Sequence, residues 1–308
     1  MTRAAPVRQA PTSRPPAPPP QQWTRDRVED VLFGVLGWVV IAVLVAVTLL
    51  PFYYMVILSV RSLDEVILRP GALWPDSFDL STYVSVLASP DDGGQGFLLF
   101  LRNSAVIAVL TVVVTLLAAI PGAYAISRLQ FAGRRQVSTL FLAVYLFPAI
   151  LLAVPLFVFF SAVGLRGSLV GLLVVYVAQT VPISIYLLRN YFETVPVSLE
   201  EAAAVDGASR WTILTRISLP LAMPAVVSNA LYVFMIAWNE FLFALLFLAE
   251  DRERWTVSLG LSQLAGSIEI PTTVLMAGSV LLTLPIVVLF FLAERLLVEG
   301  LTSGAEKG

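Results

Sequence analysis

The sequence predicts an all-α integral membrane protein built as a six-helix transmembrane bundle. Three observations predict it. Of 308 residues, 58% are apolar and only 13% are charged, against roughly 45–50% and about 25% in an ordinary soluble domain. The mean hydropathy is +0.87, so a soluble globule of this size would lack the polar residues to cover its apolar surface. Six apolar segments also reach the length of about 20 residues that a membrane-spanning helix needs.

In chain order, residues 1–22 are proline-rich, from Pro6 to Pro20, with Arg3, Arg8 and Arg14 and little apolar mass. Residues 1–30 therefore read as a disordered N-terminal tail with polyproline character, either simply solvated or docking a partner. The apolar run from Val31 is too long for the 7–15 residues of a signal-peptide core. The transmembrane domain, residues 31–298, then carries spans at about 32–58, 103–126, 137–163, 168–188, 222–249 and 273–297. The third and fourth are joined by Gly164-Leu165-Arg166-Gly167, a tight turn that predicts a helical hairpin. Pro51, Pro121, Pro148, Pro155, Pro182 and Pro285 fall in or near spans, where each invites a kink. Residues 299–308 form a polar C-terminal tail.

Positive charge sets the expected orientation. With both termini in the cytoplasm, 13 of the 19 Arg and Lys residues lie inside, as the positive-inside rule favours. The loop Arg128 to Arg135 is the clearest local signal. The outer side then holds residues 61–102, rich in turn residues and able to form a small cap, and the shorter loop Glu250 to Pro271.

Absences exclude chemistry. The chain has no Cys and no His, and its single lysine is Lys307. That rules out a disulfide, a thiol nucleophile, a Ser-His-Asp triad and a His metal site. A phosphate-binding G-x-x-x-x-G-K-[ST] loop is equally impossible. No catalytic residue, metal ligand or cofactor site is expected, and any ATP used is bound by another chain. No nucleic-acid partner is expected; membrane lipid is.

The loop 189–221 is the most informative stretch. Ser198 with Glu201 three residues on forms the pattern of a capping box. Ala202, Ala203 and Ala204 favour helix, and Gly207 can take the left-handed conformation that ends one. A second helical stretch, Ser209 to Leu219, leads to Pro220. The loop therefore predicts helix, sharp turn, helix: either a rigid device that transmits force or an amphipathic connector lying on the headgroups. In the fifth span, Glu240 is an ionisable group in apolar surroundings. Such groups line a path or bond to another helix. Trp238 and Asn239 stand beside it in the sequence. Asn229 and Gln179 are further polar groups of this kind.

Glu201-Ala202-Ala203-x-x-Asp206-Gly207-Ala208 followed by Ile217-x-Leu219-Pro220-x-x-x-Pro224 resembles the EAA loop of permease subunits in ABC importers. Trp238-Asn239-Glu240-Phe241 is similar to a pattern of carbohydrate-importer permeases. The ending Val298 to Gly308 resembles the C-terminus of the MalG-like subunit of maltose-type importers. The resemblance covers roughly residues 30–308 and departs from the motif at Leu214, where an aromatic residue is common.

It implies a type I ABC importer permease of the MetI-like fold in a bacterial inner membrane. The implied partners are a second, MalF-like permease subunit, two ABC ATPase subunits that bind ATP and Mg, and an extracytoplasmic solute-binding protein. The implied cargo is a sugar, of di- or oligosaccharide size. Glu201, Ala202, Ala203, Asp206, Gly207 and Ala208 would couple to the ATPase. Thr302, Ser303 and Gly304 would contact it from the tail, and Trp238, Asn239 and Glu240 would line the substrate path. A proton-coupled secondary transporter using Glu240 is the alternative, and it leaves the EAA-like loop unexplained.

Overall fold

The structure, a computed structural model, describes residues 25–305, with side chains for residues 30–294. The proline-rich tail 1–22 and the side chains of Thr302, Ser303 and Gly304 lie outside the described residues. The chain divides into two compact units, residues 1–52 and 53–308. Helix α1, Arg25–Ser59, supplies the described part of the first. Its apolar side chains there are exposed, Leu44 at 61% for example, as expected of a surface that faces lipid rather than water.

The regular secondary structure of the second unit is helical in its described residues. Short helices α2, Leu63–Leu68, and α3, Ser81–Leu87, precede the long helix α4, Phe97–Arg128. Next come α5, Arg134–Leu146, α6, Ala149–Ala162, and α7, Leu169–Phe192. The chain continues through α8, Val197–Val205, α9, Arg210–Ile213, a π-helical turn at Leu214–Ser218, and α10, Leu219–Leu221. It ends with α11, Met223–Asn239, α12, Leu242–Leu248, α13, Val257–Ala265, and α14, Thr272–Ala305.

Among the described residues, four helices are long and apolar enough to cross a membrane: α1, α4, α7 and α14. Two bent pairs, α5 with α6 and residues 210–221 with α11, bring the number to as many as six if each pair is one span. The third and fifth of the expected apolar segments are not continuous helices. The third, expected as one span over 137–163, is α5 and α6 meeting at 92°. Pro148 stands at the N-cap of α6 with extended backbone (φ −63°, ψ 118°), where its missing N–H costs nothing. The other span prolines, Pro51, Pro121, Pro155, Pro182 and Pro285, sit inside unbroken helices. The fifth, expected over 222–249, breaks after Asn239 and resumes at Leu242.

Helix α4 packs on α7 and α11, and α11 on α14. One core cluster gathers Phe97, Phe100, Tyr176, Trp238, Phe243 and Phe247 among others. A second cluster, with Tyr124, Leu188, Phe192, Leu214 and Val226, lies where α4 and α7 approach the loop that contains α8. Between them, Thr115 and Thr180 share a hydrogen bond at 2.7 Å, which satisfies two hydroxyls inside an apolar interface.

Residues 61–80 fold around the fully buried Arg61. Its Nε donates to Glu65 Oε1 at 2.8 Å, and one terminal nitrogen donates to the carbonyls of both Glu65 and Arg69 at 3.2 and 2.7 Å. This arginine ties α2 to the loop beyond it.

Candidate functional site

The loop between α7 and α11 forms the helix, turn and helix that its composition suggests. Its start differs. The N-cap of α8 is Pro196, without a side-chain cap bond, so the capping box of Ser198 and Glu201 does not form. The proline presets the backbone for the first turn, and Ser198 and Glu201 are already helical. The end is as expected. Gly207 adopts φ +85°. Its N–H donates to the Ala204 carbonyl at 3.1 Å, and the N–H of Ala208 donates to Ala203 at 3.0 Å. These two bonds form a Schellman motif, which satisfies carbonyls that the helix end leaves open. Asp206 holds the C-cap position through its backbone N–H to Ala202. Ser209 then caps α9, accepting from the N–H of Thr212 at 3.2 Å.

Glu201, Ala202, Asp206 and Gly207 are exposed, while Ala203 and Ala208 are half-buried. Val205 beside them is 88% exposed. Four of the six EAA-like residues are thus open to the surroundings on α8 and its turn.

The neighbouring Glu200, which the sequence reading passed over, points the opposite way and is buried. Its Oε1 accepts from Arg128 Nε at 3.0 Å and from Ser218 Oγ at 2.9 Å. Its Oε2 accepts from Tyr124 OH at 3.2 Å. A second nitrogen of Arg128 donates to the Val195 carbonyl at 2.8 Å. The one signal in the sequence is the doubled acid at 200–201: on a helix lying against a body, adjacent residues face different ways.

The second set, Trp238, Asn239 and Glu240, is not brought to one surface. Trp238 is 2% exposed. It stacks on Phe234 with ring centres 5.4 Å apart, and its Nε1 donates to the Leu282 carbonyl at 2.9 Å. Within this chain it is a packing residue rather than part of an open wall. Asn239 is exposed, with Nδ2 donating to Met235 at 2.9 Å. Glu240 sits at the helix break. It accepts from Tyr176 OH at 2.7 Å and from the N–H groups of Phe243 and Ala244 at 2.8 and 3.2 Å. The carboxylate therefore holds two free donors at the start of α12 and ties α12 to α7. The interhelical bond, one of its two sequence readings, is what forms.

A cavity of about 750 Å³ opens instead beside the α5–α6 bend. Tyr145, Gln179, Thr180 and Tyr232 place polar groups in a wall otherwise made of Phe147, Leu152, Phe159 and similar residues. Trp238, Asn239 and Glu240 are not in that wall. Gln179 lines this space, and its Nε2 is buried without a protein partner. Asn229 is 2% exposed and both its side-chain polar atoms lack protein partners.

Comparison with known proteins agrees with these features. Residues 111–302 match the family described as the inner membrane component of binding-protein-dependent transport systems. An Escherichia coli inner membrane ABC transporter permease, YcjP, is 38% identical over 87% of this chain and 94% of its own. The Thermococcus litoralis trehalose/maltose transport system permease MalG is 38% identical over 92% and 99%. A solved bacterial ABC transporter that imports the acidic polysaccharide alginate superposes with a TM-score of 0.74 at 25% identity, covering 89% of this chain and 98% of that one. The fold is that of ABC importer permeases, and the protein is a multi-pass inner-membrane transport component rather than a catalyst. The chain belongs to the family of inner membrane components of binding-protein-dependent transport systems.

Proposed function

We propose that this chain is one permease half of an ATP-driven sugar importer. It pairs with a second permease subunit, takes a di- or oligosaccharide from an extracytoplasmic binding protein, and is driven by two ATPase subunits. The observation that carries the proposal is the two-faced α8: one face locked into the body through Glu200, the other exposed with Glu201, Ala202, Asp206 and Gly207. A helix fixed on one side and open on the other fits a rigid seat for a partner. Glu201 offers a charged acceptor there, and hydrogen bonds to charged groups are about twice as strong as neutral ones. Ala202 and Ala203 permit close approach. Both termini are then cytoplasmic, as the arginine distribution favours, and the C-terminal residues Thr302, Ser303 and Gly304 lie on the ATPase side.

The sugar reading is supported by the trehalose/maltose and alginate importers among the relatives and by the cavity. Its size and its mixed aromatic and amide lining suit a small saccharide. Gln179, Tyr145 and Tyr232 take the contacting role that the sequence gave to Trp238 and Asn239. Alternating access follows from ATPase closure moving α8 and biasing the bundle between two states.

The test is purification of the chain with its natural partners. A stoichiometric ATPase and vanadate-sensitive sugar uptake are expected. Uptake by this chain alone under a pH gradient would replace this reading with proton coupling through Glu240.

A further inference from the structure

We infer that the Arg128–Glu200 ion pair is the mechanical joint through which motion of α8 reaches the membrane helices. Glu200 and Arg128 are thus positioning residues for transport, acting through α8 rather than on solute or nucleotide. The inference rests on the proposed seating of an ATPase on α8.

The geometry points to it in three ways. The pair joins elements 72 residues apart in sequence, with both side chains only 9% exposed. It reaches both sides of the loop: Arg128 ends α4, and the same Glu200 oxygen also accepts from Ser218, the last residue of the π-helical turn that leads towards α11. Arg128 further holds the Val195 carbonyl just before α8. A displacement of α8 is thereby delivered to α4 and to the chain before α11, and α4 itself packs on α7 and α11.

The chemistry favours a joint over a plain contact. Apolar contact is non-directional, so packed apolar surfaces can slide past one another. A buried, hydrogen-bonded ion pair resists displacement in both directions, because separating the partners strands a charge away from water. A transport cycle moves α8 both ways.

A double-mutant cycle on the full complex in proteoliposomes tests the proposal. Glu200→Gln, Arg128→Gln and the double variant are compared for assembled complex and for sugar taken up per ATP hydrolysed. Each single variant is expected to keep the ATPase bound and to lower uptake per ATP about ten-fold, within the 5–150-fold range of ordinary coupling energies. The double variant is expected to be no worse than either single one, because the two residues act as one unit. Wild-type uptake per ATP in the singles, or independent losses that multiply in the double, would overturn the inference. So would loss of assembled complex with an unchanged ratio, which identifies a pair needed only for folding. A wild-type complex without ATP-driven uptake would instead overturn the proposed function itself.

Discussion

Replacing Gly207 by alanine isolates the role of one turn. The residue has φ +85°, and a Cβ added to it would meet nothing within 4 Å. Crowding therefore contributes nothing, and the whole cost is the left-handed backbone, about 1–2 kcal/mol for a residue with a side chain. That is a factor of roughly 5–30 in the population of the native turn. Gly133 provides a matched control: it also has φ +85° and open space around its Cβ, in the loop between α4 and α5. Both variants carry the same local strain, but only Gly207 orients the exposed face of α8. In proteoliposomes, Gly207→Ala is expected to lower sugar uptake per ATP hydrolysed several-fold, with Gly133→Ala near wild type. Asparagine, which tolerates the left-handed region, should recover much of the loss at 207. Equal coupling in the two alanine variants would refute the claim that this turn aims a docking surface.

Other consequences can be measured on the purified protein. Tyr176→Phe removes the hydroxyl that bonds Glu240 and should destabilise the fold by about 1.5–3 kcal/mol, the range for a hydrogen bond to a charged group; an unchanged thermal midpoint would contradict the assigned role. Gly260→Ala would place a Cβ 2.3 Å from Phe100 Cδ2. The ring must shift, and a loss of about 1–3 kcal/mol is expected in a detergent melting series. Gln179→Ala should weaken uptake about 2–10-fold, the worth of one ordinary hydrogen bond; unchanged uptake at low sugar concentration would remove the cavity from the solute path.

What the sequence showed and what it hid divide along physical lines. The six apolar segments are visible because bilayer thickness imposes a length on composition. Gly207 is visible because its requirement is local: a helix end needs a residue free to adopt positive φ. The break at Pro148 is not visible, since Pro121, Pro155, Pro182 and Pro285 look the same in sequence and stay inside helices. A proline removes one donor, and packing decides between kink and corner. Glu240 stood out as an expensive group, but its partners Tyr176, Phe243 and Ala244 come from the fold. Glu200 was overlooked for the same reason. Its ion-pair partner is 72 residues away, so no local pattern separates it from Glu201, although burial separates them completely.

The most direct measurement uses the absence of cysteine from the chain. A cysteine at position 205, where Val205 is 88% exposed on α8, is compared with one at 268, where Ile268 is fully exposed between α13 and α14. Each is treated with a thiol cross-linker in the assembled transporter. An adduct with the ATPase subunit is expected from Val205→Cys and none from Ile268→Cys. An adduct from 268 with none from 205 would contradict the seating of the ATPase on α8.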